Sequence, residues 1–163
     1  MGGRGSVSYS GNNLSETMAQ IDETIKNWST YSGVIRSGSM GNGAKENIEK
    51  ATLFDEYLAG QSYSGRIYRG VTVDDATLKT LLVDKTIDQL GISSWSKSKQ
   101  VALGFASESA EEFLNGRKVI FVMRDGTKSG ADISSKATYK SEQEVVELQC
   151  QPNTSMLQDV LAV

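Results

Sequence analysis

Three short segments carry side chains whose types and spacing could do chemistry. Tyr68-Arg69-Gly70 places an arginine in a strand-like stretch, where a planar guanidinium can bind a phosphate through two parallel hydrogen bonds. Ser93-Ser94-Trp95-Ser96 offers hydroxyls that can hold a neighbouring carboxylate in one orientation. Glu142-Gln143-Glu144 opens a predicted strand, in which residues i and i+2 share a face with Cα atoms about 6.5–7 Å apart. Two carboxylates so placed fit the chemistry of glycosidic-bond cleavage.

Each segment also has an ordinary structural interpretation, which is favoured when the segment is taken alone. Arg69 can pair with a nearby acid, as many surface arginines do. The serines can end a strand and cap a helix. Glu142 and Glu144 can form a solvated polar face at the start of a strand.

The residues that are missing narrow the chemistry further. The chain has no histidine and one cysteine, Cys150. This composition excludes Ser-His-Asp and Cys-His nucleophiles, imidazole acid–base catalysis and His-ligated or Cys-rich metal sites. No metal is expected, and any catalysis must rest on aspartate, glutamate, lysine, tyrosine, serine, arginine or Cys150, with carboxylates and arginines as the first candidates.

Size and charge indicate one domain that is not a general binder of polyanions. The 163 residues have a mass of 17.6 kDa, with 17 basic and 20 acidic side chains and a pI of about 5.1. An acidic balance of this kind argues against general nucleic-acid or membrane-surface binding. The longest strongly apolar run, Val119 to Met123, is too short to span a bilayer. With no visible secretory signal and a single cysteine, we expect a cytoplasmic protein.

The elements that must position these residues begin with helices. Residues 1–13 are rich in glycine and serine and are predicted to form a flexible arm, followed by a single domain over residues 14–163. Ser15 is a candidate N-cap for a helix whose apolar face is Met18, Ile21, Ile25 and Trp28. A loop over 37–43 separates it from a second helix over about 44–58.

Strands dominate the rest of the chain. They are predicted over 66–71, 91–95, 117–124 and 142–149, with a short helix opening at Asp74. Another helix is predicted from a cap at Ser96 to about Ser107, with Val101, Ala102 and Phe105 turned inward. Helices followed by strands indicate an α+β fold.

The three segments, in this order, resemble the signatures of the mono-ADP-ribosyltransferases of the arginine-serine-glutamate class, which includes many bacterial toxins and phage enzymes. The match consists of Tyr68-Arg69-Gly70, Ser94-Trp95-Ser96 and Glu142-Gln143-Glu144, with Ala102 and Phe105 on the following helix. The resemblance covers roughly residues 25–149. It implies a helical N-terminal part packed on two mostly antiparallel sheets that form a cleft for NAD.

The resemblance also implies roles for individual residues. NAD would be the substrate and nicotinamide the leaving group. Glu144 would stabilise the oxocarbenium-like ribose, Ser94 would hold Glu144, and Arg69 would clamp the pyrophosphate. Gly70 would contact the nicotinamide amide, and Phe105 would either stack on the nicotinamide or lie in the core.

The resemblance also implies an acceptor. Glu142 can orient a guanidinium and take its proton, and relatives with glutamate at this position are arginine-modifying enzymes, so arginine on a target protein is the favoured acceptor. Tyr139, in the preceding loop, is either a target-recognition residue or an ordinary tyrosine packed on a turn.

Two departures from the family pattern bear on the site. Trp95 replaces the usual threonine, but alternation along a strand turns it away from Ser94. The stretch 108–116, where relatives carry a second phosphate-binding arginine, holds three acids and no base, and Arg117 is a weak substitute.

Three other interpretations stay open. The acceptor can be water, which makes the protein an NAD glycohydrolase, or it can be a nucleic-acid base or a small molecule. The chain can instead be a non-catalytic phage or virion module with the same fold. The motif matches can also be accidental in a plain α+β domain.

Overall fold

The helical first part of the chain buries one face of each of its helices. A computed structural model describes residues 11–84, 86–87, 91–111, 115–149, 155–156 and 159–162. Helix α1 (Gly11–Ser39) buries the predicted Ile21, Ile25 and Trp28, and α2 (Lys45–Ala59) buries Ala51, Phe54 and Leu58. The sequence pattern therefore identified both helices, and for α1 the apolar periodicity also identified the face that it buries.

Helix α1 is longer than predicted at both ends. It begins at Gly11, so Ser15 lies inside the helix and is not its N-cap, and the boundary drawn at residue 13 also falls within it. Residues 1–10 of the expected arm lie outside the described part of the chain. The helix continues to Ser39, because the backbone first takes the left-handed conformation at Gly41, where φ is 82°.

The remaining elements alternate between strands and short helices. In chain order they are β1 (Ile67–Val73), α3 (Asp75–Asp84), β2 (Thr86–Ile87), β3 (Gly91–Ser96), α4 (Lys99–Glu111), β4 (Arg117–Met123), β5 (Gly130–Asp132), a 3-10 turn (Lys140–Glu142), β6 (Glu144–Gln149), β7 (Ser155–Met156) and β8 (Asp159–Ala162). The cap of α4 is Ser98, whose Oγ accepts a hydrogen bond from the Val101 N–H, and not the predicted Ser96.

The strands form an antiparallel sheet with a weak seam in its middle. The six-stranded order is β5-β6-β3-β1-β4-β8, and β2 pairs separately with β7. Strands β3 and β6 pair along their whole length, and so do β1 and β4, whereas β1 and β3 meet at one register pair, Tyr68 with Ser96. The two expected sheets are thus two halves that diverge from one junction, and the α+β fold class is confirmed.

Three apolar clusters cover the faces of this sheet. Helices α1 and α2 pack on the half formed by β3, β5 and β6. A second cluster joins α3 to β1, β4 and the buried ring of Trp95. The third seats α4 on β1 and β4 through Ala102 and Ala106. The seam between β1 and β3 is therefore flanked by α1 on one side and α4 on the other.

Candidate active site

A cleft opens where the two halves of the sheet diverge. Its volume is about 550 Å³, which lies within the range of about 300–1,000 Å³ typical of small-molecule sites. Helices α1 and α4, strands β1 and β3, and the 3-10 turn with the start of β6 contribute its walls. The residues that line it include most of those singled out in the sequence: Arg69, Gly70, Ser94, Phe105, Glu142 and Glu144.

Arg69 lies on β1 immediately beyond the junction with β3. Its Nη1 donates a hydrogen bond to the carbonyl oxygen of Ser94 at 2.7 Å, while its buried Nε has no hydrogen-bond partner among the described residues. Burial and, to a smaller extent, the neighbouring charge of Arg36 lower the pKa of Arg69 to about 10, against the opposing effect of Glu147 and Glu144. The guanidinium is still charged at neutral pH and retains donors for an anion.

Glu144 is the first residue of β6, and it is buried. Its Oε2 accepts a hydrogen bond from Ser94 Oγ at 2.5 Å and a second from Trp28 Nε1 at 2.7 Å. The first of these contacts is the one predicted from the sequence. It forms because β3 and β6 pair with Ser96 opposite Glu144, which brings Ser94 close to the carboxylate.

Helix α1 lines the cleft with four residues that sequence reasoning did not assign to the site, Trp28, Ser29, Ser32 and Arg36. Trp28 was placed in the core on periodicity alone, and Arg36 was not considered. The Arg36 guanidinium lies 5.3 Å from the centroid of the Trp28 ring, and its Nε donates to the carbonyl oxygen of Ile92 at 3.1 Å. Burial lowers the pKa of Arg36, while the charge of Glu144 opposes this shift. Helical spacing puts positions 28, 32 and 36 on one face, and this spacing was the only sequence pattern that could have linked Arg36 to Trp28.

Glu142 does not lie on the strand that carries Glu144. It ends the 3-10 turn, and Gln143 follows in the left-handed conformation with φ of 48°, so β6 begins two residues later than predicted. The i, i+2 argument is therefore wrong as a strand geometry, although both carboxylates line the cleft. Partial burial raises the pKa of Glu142, and the charges of Glu144 and Glu108 raise it further.

The position of that turn is fixed by hydrogen bonds from Ser96, the last residue of β3, and from Lys97, which follows it. Ser96 Oγ donates to the carbonyl oxygen of Glu142 at 2.6 Å, and the Lys97 N–H donates to that of Gln143 at 3.0 Å. The serine segment thus holds both carboxylates. Ser94 bonds the Glu144 side chain, and Ser96 bonds the backbone that carries Glu142.

Gly70 and Phe105 line the cleft on the side of α4. A Cβ on Gly70 would overlap the carbonyl oxygen of Ala102, so the glycine permits the close packing of β1 against α4. Phe105 is 40% exposed, and the interpretation that places it in the core is wrong. The inward face of α4 is formed instead by Ala102 and Ala106.

The other residues considered from the sequence lie away from the cleft or point away from it. Tyr139 is 52% exposed and precedes the 3-10 turn, outside the set of residues that line the cleft. Trp95 turns its ring into the cluster beneath β1, as alternation predicted. Arg117 forms an ion pair with Asp75 at the surface and does not replace the missing second arginine.

The cleft therefore combines two arginines with two carboxylates in different settings. One carboxylate is buried and oriented by two donors, and the other is partly exposed. Such a site can bind an anionic group at the arginines and stabilise positive charge beside Glu144. Within the described residues no group of histidine, cysteine, aspartate and glutamate side chains is arranged to hold a metal ion, and no helix is long and apolar enough to cross a membrane.

Comparison with known proteins identifies the fold. No protein-family model matches the sequence, and no curated protein matches it significantly. Among solved structures, the Vis toxin, an ADP-ribosyltransferase from Vibrio splendidus, aligns with a TM-score of 0.54 at 17% identity over 88% of this chain and 67% of its own. The Vis structure with agmatine gives a TM-score of 0.54 at 14% identity over 92% and 79%. The chain thus has the fold of these ADP-ribosyltransferases.

Proposed function

We propose that this protein is a mono-ADP-ribosyltransferase that moves ADP-ribose from NAD to an arginine of a target protein and releases nicotinamide. The observation that carries the proposal is the Ser94–Glu144 hydrogen bond in one cleft with Arg69, within an ADP-ribosyltransferase fold. The order of the three sequence segments supports the same conclusion.

Arg69 and Arg36 would bind the diphosphate of NAD. The Nε–H of Arg69 is buried without a hydrogen-bond partner among the described residues, and an anionic oxygen would supply one. Burial and then the charge of Arg36 lower the pKa of Arg69, and two linked phosphates would offset both the desolvation and the repulsion between the guanidinium groups. Arg36 would replace the second phosphate-binding arginine, which relatives carry after the serine-motif helix and which is absent from residues 108–116 of this chain.

The bond that breaks joins the ribose C1′ to the nicotinamide nitrogen, which leaves with the bonding electron pair. Positive charge develops on the ribose as the bond lengthens, and the Glu144 carboxylate stabilises it. Ser94 donates a hydrogen bond to Oε2, which would orient the carboxylate before the reaction begins. Gly70 and Phe105 would contact the nicotinamide, Gly70 through its backbone and Phe105 by stacking.

The acceptor would enter beside Glu142. A guanidinium nitrogen of the target forms the new bond to C1′, and the proton that it loses passes to the Glu142 carboxylate. A partly exposed carboxylate suits a group that must reach a macromolecular acceptor. Tyr139, exposed and three residues away in sequence, would contact the target protein.

The test measures two products in parallel. Wild type and Glu144→Gln are incubated with labelled NAD and a bacterial lysate, and both labelled protein and free nicotinamide are followed. We expect wild type to give both signals and Glu144→Gln to lose both by at least about a hundredfold while keeping its fold. A fully active Glu144→Gln variant would refute the site assignment.

A small acceptor separates the chemistry from the identity of the target. Agmatine, bound in one of the similar Vis structures, carries a guanidinium, and a diamine of similar length is the control that lacks it. Wild type is expected to modify agmatine and to leave the diamine unmodified. Glu142→Gln should lose transfer to agmatine more than it loses nicotinamide release. Nicotinamide release without transfer to either acceptor would support an NAD glycohydrolase, and no turnover would support a non-catalytic module.

A further inference from the structure

Trp28 joins helix α1 to the buried carboxylate of the cleft. The two residues are 116 positions apart in sequence, yet the indole Nε1–H donates to Glu144 Oε2 at 2.7 Å. The ring itself is 1% exposed. It packs against Phe54 of α2 with ring centroids 5.9 Å apart, and the Arg36 guanidinium lies 5.3 Å from its centroid.

We propose that Trp28 is a positioning residue for Glu144, which it holds together with Ser94 in the orientation required for cleavage of the NAD glycosidic bond. The inference rests on the proposed function for its catalytic meaning. The charge-assisted indole hydrogen bond that orients the carboxylate is a structural property, and it can be measured without any turnover of NAD.

The choice of acceptor distinguishes Trp28 from an ordinary core tryptophan. A buried indole needs one acceptor, which a hydroxyl or a carbonyl can supply. Trp95 shows that neutral solution, because its Nε1 donates to Ser93 Oγ at 2.9 Å. Trp28 instead donates to a carboxylate, and hydrogen bonds to an ionised acceptor are shorter and about twice as strong as neutral ones.

Both donors, Ser94 and Trp28, bind the same oxygen of the Glu144 carboxylate. Ser94 and Trp28 both address Oε2, and no described residue donates a hydrogen bond to Oε1. Donors from β3 and from α1 fix the side chain from two separate elements. Oε1 is then the oxygen left to meet the substrate, and its position depends on where α1 packs.

A spectroscopic test reads this hydrogen bond without any turnover. The chain contains two tryptophans, so its indole N–H spectrum has two signals. In Glu144→Gln the Trp28 signal should move upfield, because an amide oxygen is a weaker acceptor than a carboxylate, and the Trp95 signal should stay in place. Ser93→Ala assigns the Trp95 signal. Equal movement of both signals, or none, would overturn the proposal.

A kinetic test separates positioning from general stability. Trp28→Phe keeps an aromatic ring and removes the N–H, so kcat for nicotinamide release should fall about tenfold while KM for NAD changes less than about twofold. Phe54→Leu is the matched control, because it damages the same packing and leaves the N–H. It should lower the melting temperature and leave kcat of the folded protein unchanged. The same loss of kcat in both variants would reduce Trp28 to a packing residue and overturn the proposal.

The outcomes also separate this inference from the proposed function. An active wild type with an undiminished Trp28→Phe variant refutes the inference alone. An inactive wild type refutes the proposed function, and with it the catalytic meaning of the positioning, even where the Trp28 signal still responds to Glu144→Gln.

Discussion

At the scale of single residues, the two arginines of the cleft show how burial and charge prepare a site for an anion. Desolvation makes a buried guanidinium costly, and a second one nearby adds repulsion. The pKa of Arg69 at about 10 records both effects, yet it leaves the group protonated at pH 7. A diphosphate would compensate for both costs, so we expect binding energy for NAD to be concentrated at this residue.

Replacing Arg69 by lysine tests that expectation. Lysine keeps a positive charge but loses the planar fork, including the Nη1 hydrogen bond to the Ser94 carbonyl oxygen. We expect KM for NAD to rise about 10- to 100-fold, the equivalent of about 1.5–3 kcal/mol for hydrogen bonds to charged groups. Arg117→Lys, at an exposed ion pair outside the cleft, is the control and should leave KM unchanged. Equal effects in the two variants would contradict the assignment.

The role proposed for Glu142 predicts a pH dependence of arginine transfer. As the base Glu142 would have to be ionised, and partial burial, Glu144 and Glu108 raise its pKa above the ordinary 4.5. Arginine transfer should therefore fall as the pH drops, beginning above pH 4.5. Glu108→Gln removes one of the three causes, so the acidic limb of the transfer profile should move to lower pH. An acidic limb that stays in place, or moves upward, would exclude this electrostatic link.

At the scale of elements, β1 and α4 must approach each other closely to form one wall of the cleft. Gly70 allows this approach, because a Cβ there would overlap the Ala102 carbonyl oxygen in the backbone of α4. Gly70→Ala is expected to push α4 away from β1 and to destabilise the fold by about 1–3 kcal/mol or more. The measurement is chemical unfolding of the two proteins side by side.

Gly104 provides the matched control for that substitution. It lies on α4, and a Cβ there would have no atom within 4 Å. Gly104→Ala is expected to stabilise the helix by up to about 1 kcal/mol, because alanine loses less conformational entropy than glycine. If Gly70→Ala were as harmless as Gly104→Ala, the close packing of β1 on α4 would not be what requires the glycine.

The strands of the sheet were easier to predict from the sequence than the 3-10 turn that precedes β6. Strand β4 carries a β-branched and aromatic run, and the predicted 117–124 matches the observed Arg117–Met123. The boundary at Glu142 was missed, because hydrogen bonds from Ser96 and Lys97 of another segment hold the 3-10 turn. Local propensity does not contain that long-range information.

At the scale of the whole molecule, the site is a property of how the helical part meets the sheet. The sequence segments predicted Arg69, Ser94 and both glutamates, since these lie in or beside short strands with recognisable residue types. Trp28 and Arg36 could not be found in this way, because their partners Glu144 and Ile92 lie 116 and 56 residues away. Apolar periodicity predicts that a helix face is buried, but it does not predict which polar group on another element accepts a hydrogen bond from that face.

The cleft is formed by residues of α1, β1 and β6, so binding of NAD is expected to stabilise the whole folded protein. A ligand that contacts α1, β1 and β6 together stabilises the native state by mass action, by about 2.7 kcal/mol at a concentration one hundred times its Kd. For a chain of 163 residues this corresponds to a rise in melting temperature of about 5–10 °C.

Nicotinamide alone, which lacks the diphosphate, should give a much smaller rise, and Arg69→Lys should reduce the rise given by NAD. The measurement is thermal unfolding with and without each compound. An unchanged melting temperature at millimolar NAD would indicate a fold that no longer binds the dinucleotide, whereas a rise that survives Arg69→Lys would place the binding energy elsewhere in the cleft.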